Sequence, residues 1–259
     1  MKASPFKQLA SLAVVAWLGL GSGWASAAEV LVAVAANFMQ PMQQIAQAFA
    51  KNSGHQVQLS IGASGQLSAQ IQNGAPFHVL LSADAAIPAQ LVQAGLGVAG
   101  TSFTYAIGQL VLWSPKPGLI DPQGEVLRQG RFQRIARANP KLAPYGDATV
   151  QVVERMGLTA DLQHKWVQGE NINQAHQFVA TGNADLGFLA LSQVATATGQ
   201  AAGSMWLVPS SWHSPILQNA VLLHKGKDNA AALALMVFLK SPAARDIIRK
   251  AGYGLEPPP

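Results

Sequence analysis

From Val30 to Leu189 the chain alternates short β-type runs with helical patterns, and this alternation restricts the possible fold more than any other feature. Val30 to Ala35 reads as a buried strand, after which Phe38, Met42, Ile45 and Phe49 recur at helical spacing with Pro41 in the first turn. Val57 to Ile61 is again β-type, then a helix runs through Leu67 and Ile71 to a stop at Asn73-Gly74. Val79-Leu80-Leu81 is a strand, and Ser82-Ala83-Asp84 opens a helix that ends at Gly95. Strands that alternate with helices form parallel sheets covered by helices on both faces, so the expected class is α/β with mostly parallel sheets. Tyr105 to Trp113 reads as one long apolar strand, and the turn-rich Ser114-Pro115-Lys116-Pro117-Gly118 that follows is a natural crossing into a second lobe. A second crossing is expected near Pro209 to Ala220. Residues 28–108 with 209–259 then form one lobe and 109–208 the other, with a ligand cleft at the C-terminal ends of the strands. In the second lobe, one helix is expected around Val150, Val153 and Arg155 up to Gly157, another from Gln174 to Thr181 up to Gly182, and a strand at Leu186–Leu189. The last helix is clearly punctuated: Ser241 caps it, Pro242 opens it and Gly252 stops it. Pro257-Pro258-Pro259 reads as a loose tail.

Two of the strand-to-helix turns carry a small polar side chain. In Gly62-Ala63-Ser64-Gly65 the strand breaks at glycines flanking Ser64, whose amide and hydroxyl would stand at a helix N-terminus. There the unpaired N–H groups and the positive end of the helix dipole attract an anion. Asn37, after the first strand, can cap a helix in the same way. Serine and asparagine cap helices throughout proteins, so either turn alone is weak evidence; together they could face one oxyanion.

The setting follows from the ends and the charge. Lys2 and Lys7 precede an apolar stretch from Leu9 to Leu20 and then Ala25-Ser26-Ala27, the pattern of a secretory signal peptide over residues 1–27, with the mature chain starting at Ala28. That apolar stretch is short for a membrane span, and no later run reaches membrane length. The absence of cysteine removes disulfides and a lipid-anchoring thiol, so a freely diffusing periplasmic protein is expected. The formal net charge of +5 drops by two once Lys2 and Lys7 are cleaved away, and only 11% of residues are charged. Without basic clusters, nucleic acid is not an expected partner.

Competing chemistry finds little support. Gly62-Ala63-Ser64-Gly65 is not the Gly-x-Ser-x-Gly elbow of a hydrolase, and no Asp and His follow in a hydrolase setting, so no enzymatic activity and no catalytic residue are expected. The six histidines lack the close pairing of a helix-borne metal motif, and Tyr105, Tyr145 and Tyr253 include no adjacent pair that would suggest iron(III). Asp84 and Asp185 read as backbone caps, and Trp113, Trp166, Trp206 and Trp212 as core or interface residues.

Several separate strings occur in order along the chain: Val32-Ala33-Val34-Ala35-Ala36-Asn37-Phe38, the Gly62–Gly65 turn, Asn73-Gly74-Ala75-Pro76, Ser82-Ala83-Asp84, Asn139-Pro140 with Ala143-Pro144-Tyr145-Gly146, and Gly182-Asn183-Ala184-Asp185-Leu186-Gly187-Phe188. The set resembles the periplasmic molybdate-binding proteins over the whole mature chain. The resemblance implies a two-lobed type II periplasmic binding fold that captures molybdate or tungstate, acts as a monomer without a cofactor or a directly ligated metal cation, and delivers the oxyanion to the membrane permease of an ABC importer. It also implies a ligand set: Ala36 and Asn37 on the first turn, Ser64 on the second, Tyr145 in the Ala-Pro-Tyr-Gly loop and Ile172 at the start of the Gln174 helix. Ala36 stands where the related branch carries threonine, and Ile172 where it carries valine. Where other members place a tyrosine two positions after the Leu-Gly-aromatic run, this chain has Ala190. Tyr145 is then expected to take over that role. Such a site suits a dianion that offers only acceptors, because hydroxyls, amides and the Asn37 carboxamide all donate without adding a buried countercharge. Alternatives within the same reading are another tetrahedral oxyanion such as sulfate, or a periplasmic sensory module that serves no transporter.

Overall fold

The computed structural model describes residues 27–195 and 202–256. The signal peptide expected over residues 1–27 lies, up to Ser26, outside the described residues, as does the Pro257–Pro259 tail. Among the described residues ten strands form two sheets. They are β1 (Glu29–Ala35), β2 (Gln56–Gly62), β3 (Val79–Leu81), β4 (Phe103–Gly108), β5 (Leu110–Ser114), β6 (Ile135–Ala138), β7 (Trp166–Gly169), β8 (Leu186–Ala190), β9 (Ser204–Leu207) and β10 (Ile216–Leu222). The helices between and after them are α1 (Met39–Ser53), α2 (Ser64–Gln72), α3 (Ala86–Gln93), α4 (Val126–Gln129), α5 (Pro144–Arg155), α6 (Thr159–Leu162), α7 (Ile172–Ala180), α8 (Leu191–Val194), α9 (Ala230–Phe238) and α10 (Pro242–Lys250).

The first sheet has the order β2-β1-β3-β10-β4 and the second β7-β6-β8-β5-β9. In the first, β10 runs antiparallel to both neighbours, and in the second β5 does, while the remaining pairs are parallel. Each sheet is thus parallel apart from one reversed strand. The central strands show why. Val32 to Ala35 in β1 and all of β8 are buried, the near-continuous apolar run of a strand covered on both faces. Val30, Val32 and Val34 face a core built with Phe38, Met42, Ile45 and Phe49 of the α1 segment, whereas Ala33 faces a second core with Leu67, Ile71 and Leu91. The 3.6-residue spacing read in the sequence therefore marks a real packing stripe. Gly54 in the left-handed region ends α1, and Ser241 Oγ accepts from the Ala244 amide at the start of α10.

The stretch Tyr105–Trp113 is not one strand. It divides at Gln109 into β4, paired with β10 of the first sheet, and β5, paired with β8 and β9 of the second. The chain changes sheets there rather than at Ser114–Gly118; β5 is buried throughout and β4 in part, and apolar residues lie on both sides of the break. A Cβ on Gly108 would stand 2.3 Å from Tyr145 Oη, so only glycine lets the second sheet's α5 seat its tyrosine against this crossing strand. The chain returns to the first sheet between Leu207 and Ile216.

Candidate functional site

The C-terminal ends of β1, β2 and β3 in one lobe face those of β6 and β7 in the other across a small cavity. Its volume is about 10 Å³, and it is lined by Ala35, Ala36, Asn37, Gly62, Ala63, Ser64, Ala83, Ala143, Pro144, Tyr145, Asn171 and Ile172. That is below the roughly 300–1,000 Å³ of pockets for organic ligands. No lysine, arginine, histidine, aspartate or glutamate lines it. The five residues singled out in the sequence, Ala36, Asn37, Ser64, Tyr145 and Ile172, all reach this one cavity.

Four helical N-termini point into it, and each leaves an amide over. Ile172 is the first residue of α7; the Asn171 carboxamide oxygen accepts from the Asn173 and Gln174 amides but not from Ile172. Ser64 opens α2, where the Gly65 amide donates to Leu142 O at 3.0 Å and the Ala63 amide to Gln66 Oε1 at 3.3 Å. Pro144 opens α5 without an N–H, the Gly146 and Asp147 amides both donate to Ala143 O, and between them Tyr145 keeps its own. A 3-10 turn at Ala36–Phe38 presents the Ala36 and Asn37 amides, whose geometry provides no carbonyl one turn earlier. Ser64 Oγ accepts from the Ala83 amide at 2.9 Å, so its one proton remains to be donated. The cavity is a shell of donors at the positive ends of three helices of nine to twelve residues.

Two expectations change. Tyr145 lies in the first turn of α5, not in a loop, because Pro144 starts the helix one residue earlier and Gly146 lets that turn press onto β6, where a Cβ would stand 2.5 Å from Ala138 O. Asn37 does not cap a helix. Its carboxamide nitrogen donates to Gln218 Oε1 and to Tyr253 Oη, each at 2.9 Å, which leaves the backbone amide as its donor toward the cavity. Asp84 and Asp185 do bind backbone: Asp84 accepts from the Ile87 amide, and Asp185 from the Gln133 and Arg134 amides and from Lys116 Nζ, the last of which holds its carboxyl below the usual range.

Behind the cavity lies a buried network that sequence reasoning missed. Gln218 Nε2 donates to Tyr145 Oη at 3.2 Å, and Gln218 Oε1 accepts from Asn37 and lies 2.9 Å from Tyr105 Oη. Tyr253 Oη donates to Asn37 O at 2.8 Å and stands 2.9 Å from Ser192 Oγ. All three tyrosines of the chain meet here, and burial raises the pKa of each phenol above the ordinary range. The available signal was Gln218-Asn219 in the middle of the apolar run Ile216 to Leu223. Among the described residues no group of three or more His, Cys, Asp or Glu could hold a metal ion.

Comparison with known proteins agrees with this geometry. The profile of the family described as bacterial extracellular solute-binding protein matches residues 30–254. The molybdate-binding protein ModA of Azotobacter vinelandii is 54% identical over 248 residues, 96% of this chain and 98% of the relative. That of Rhodobacter capsulatus is 48% identical over 246 residues, 95% of each. The solved structure of the Azotobacter vinelandii periplasmic molybdate-binding protein superposes with a TM-score of 0.86 at 44% identity, covering 88% of this chain and all of that one. The sulfate-binding protein SubI of Mycobacterium tuberculosis, with a TM-score of 0.70 at 16% identity over 87% of this chain and 86% of its own, shares the fold.

Proposed function

The chain belongs to the bacterial extracellular solute-binding proteins, and from that membership we propose that its cavity captures molybdate and delivers it to an ABC importer. One observation carries the reading: five unspent amides and the Ser64 hydroxyl converge on a cavity with no charged side chain in its lining. Only a guest with acceptors alone satisfies such a shell, and molybdate is a dianion with four acceptor oxygens. Two relatives that match nearly the full chain are molybdate-binding proteins. Tungstate, of nearly the same size and charge, binds in the same place. A protonated oxyanion such as hydrogen phosphate is rejected, because its O–H meets another donor.

In this reading Ala36, Asn37, Tyr145 and Ile172 donate through their amides and Ser64 through amide and hydroxyl. If each hydrogen bond to a charged acceptor nets roughly 1.5–3 kcal/mol, five or six give a gross gain on the order of 10 kcal/mol, from which closure and desolvation subtract. Submicromolar affinity is the expected result. Residues 28–108 with 209–259 act as one lobe and 109–208 as the other, closing on the ion. The mature monomer begins at Ala28, works in the periplasm and docks on the membrane permease.

The structural kinship with a sulfate-binding protein makes sulfate the second reading, since the fold alone does not distinguish the two oxyanions. Thermal denaturation with each ion separates them. Molybdate and tungstate at about a hundred times their Kd should stabilise the protein by about 2.7 kcal/mol, while sulfate leaves the melting temperature unchanged. Equal shifts with sulfate would defeat the molybdate reading.

A further inference from the structure

We propose that Gln218 is a positioning residue for anion capture, a buried crosspiece that holds the two halves of the donor shell in register through Asn37 on one side and Tyr145 on the other. The inference rests on the function proposed above but concerns residues outside the cavity: Gln218, Tyr253 and Ser192 do not line it.

Gln218 is fully buried within β10, where a carboxamide needs a specific reason to be. Between Gln218 and Asn219 the register of β10 against β4 shifts, and such a bulge re-aims a side chain. The redirected carboxamide uses both of its ends. Oε1 takes the Asn37 carboxamide at 2.9 Å, and Nε2 reaches Tyr145 Oη at 3.2 Å in the other lobe. Each partner is the side chain of a residue whose amide faces the cavity. Asn37 is held at further points, its carbonyl accepting from Tyr253 Oη at 2.8 Å and Ser192 Oγ at 3.1 Å and its carboxamide nitrogen reaching Tyr253 Oη. Tyr145 is only 1% exposed and its Oη rests on Gly108, beside the point where the chain changes sheets. One glutamine thus ties a turn after β1 to the first turn of α5 with no contact to the ion. Amides with fixed aim need not reorganise when the anion arrives, so their full hydrogen-bond strength goes to binding.

The test compares Gln218→Met, which keeps the length and removes both polar ends, with Tyr253→Phe, which removes one hydroxyl from the far side of Asn37. Calorimetry with sodium molybdate should show Gln218→Met weakened about ten- to a hundredfold and Tyr253→Phe about three- to tenfold, mostly through faster release. Tyr145→Phe added to Gln218→Met should cost little more, because the two substitutions remove the same bond. Without any ion, hydrogen exchange over residues 35–39 and 143–147 should quicken together in Gln218→Met, beyond any general increase seen over the rest of the chain. Should Gln218→Met not fold, Tyr145→Phe, which removes the Gln218–Tyr145 bond and keeps the Tyr145 amide, carries both readouts. Wild-type exchange in both segments overturns the positioning role whatever the ligand is, and so does unchanged molybdate affinity in a folded variant. Absence of molybdate heat from the wild-type protein is a different failure, that of the functional reading, and leaves the exchange measurement to judge Gln218.

Discussion

The cavity and the polar network behind it share Asn37 and Tyr145 yet are built on opposite rules. In the network donors meet acceptors: Asn37 Nδ2, Tyr105 Oη, Tyr253 Oη and Gln218 Nε2 all have partners within 3.2 Å. In the cavity backbone donors from four helical N-termini converge on a space with no charged side chain in its lining. A satisfied buried network is complete and rigid, whereas an unsatisfied one waits for a guest of the missing polarity. The contrast shows how a protein with few charges can hold a dianion. In the proposed reading, side chains set the aim and the backbone makes most of the contacts.

The largest effect that could break this contrast is expected at Ile172. Proline is tolerated at the first position of a helix, and Asn171 already has the extended backbone that a following proline requires. Ile172→Pro therefore removes one donor while α7 persists, and should weaken molybdate binding by about 2–3 kcal/mol, roughly 30- to 150-fold. Ile172→Ala loses more bulk than the proline variant but keeps the N–H, and calorimetry should find its affinity close to wild type. Equal losses in the two variants would mean that side-chain packing, not the amide, matters at this position.

Ser64→Ala comes next, with about 1.5–3 kcal/mol of binding lost, roughly ten- to a hundredfold. The ion-free protein should also lose about 1 kcal/mol in denaturant titration, because the Ala83 amide loses its acceptor. Loss of stability with unchanged affinity would reduce Ser64 to a structural bridge.

Alkaline pH separates the two regions. The network tyrosines have folded pKa values raised by burial above the unfolded value of about 10. Their neutral forms thus contribute stability that is fully present below about pH 10 and is lost as pH rises beyond it and the unfolded chain ionises. Melting temperature should be insensitive to these groups between about pH 7 and 9 and fall above about 10, less steeply in Tyr253→Phe than in wild type. A steeper fall in the variant would contradict the assignment. Ala36→Thr is the smallest effect. Ala36 already offers its amide, so a threonine hydroxyl should change affinity less than about threefold, under 1 kcal/mol. A tenfold gain would show that the shell lacks a side-chain donor there.

What the sequence reveals and what it hides divide along the same line. Strand and helix positions followed from local pattern, as in Val79–Leu81 and the Phe38-Met42-Ile45-Phe49 stripe, because burial on both faces leaves a continuous apolar run in a strand and burial on one face leaves a 3.6-residue stripe in a helix. The turns at Ala36-Asn37 and Ser64 were legible because helix N-termini carry their chemistry in consecutive residues. The break of the Tyr105–Trp113 run into two strands was hidden, since it accompanies Tyr145 packing against Gly108 across the lobes, and the α5 start at Pro144 was hidden because it brings Gly146 against Ala138 of a separate strand. The Gln218 network joins residues as far as 216 positions apart in sequence, and no local pattern links Asn37 to Tyr253.

The most direct test of the donor-only cavity is a calorimetric titration of the mature wild-type protein with molybdate, sulfate and hydrogen phosphate at neutral pH. The expected result is one molybdate per chain at submicromolar Kd, with affinity constant from about pH 6 to 9 because no cavity side chain titrates there, and no measurable heat from hydrogen phosphate. Comparable binding of hydrogen phosphate would contradict the account, since its O–H would require an acceptor in a shell that presents only donors.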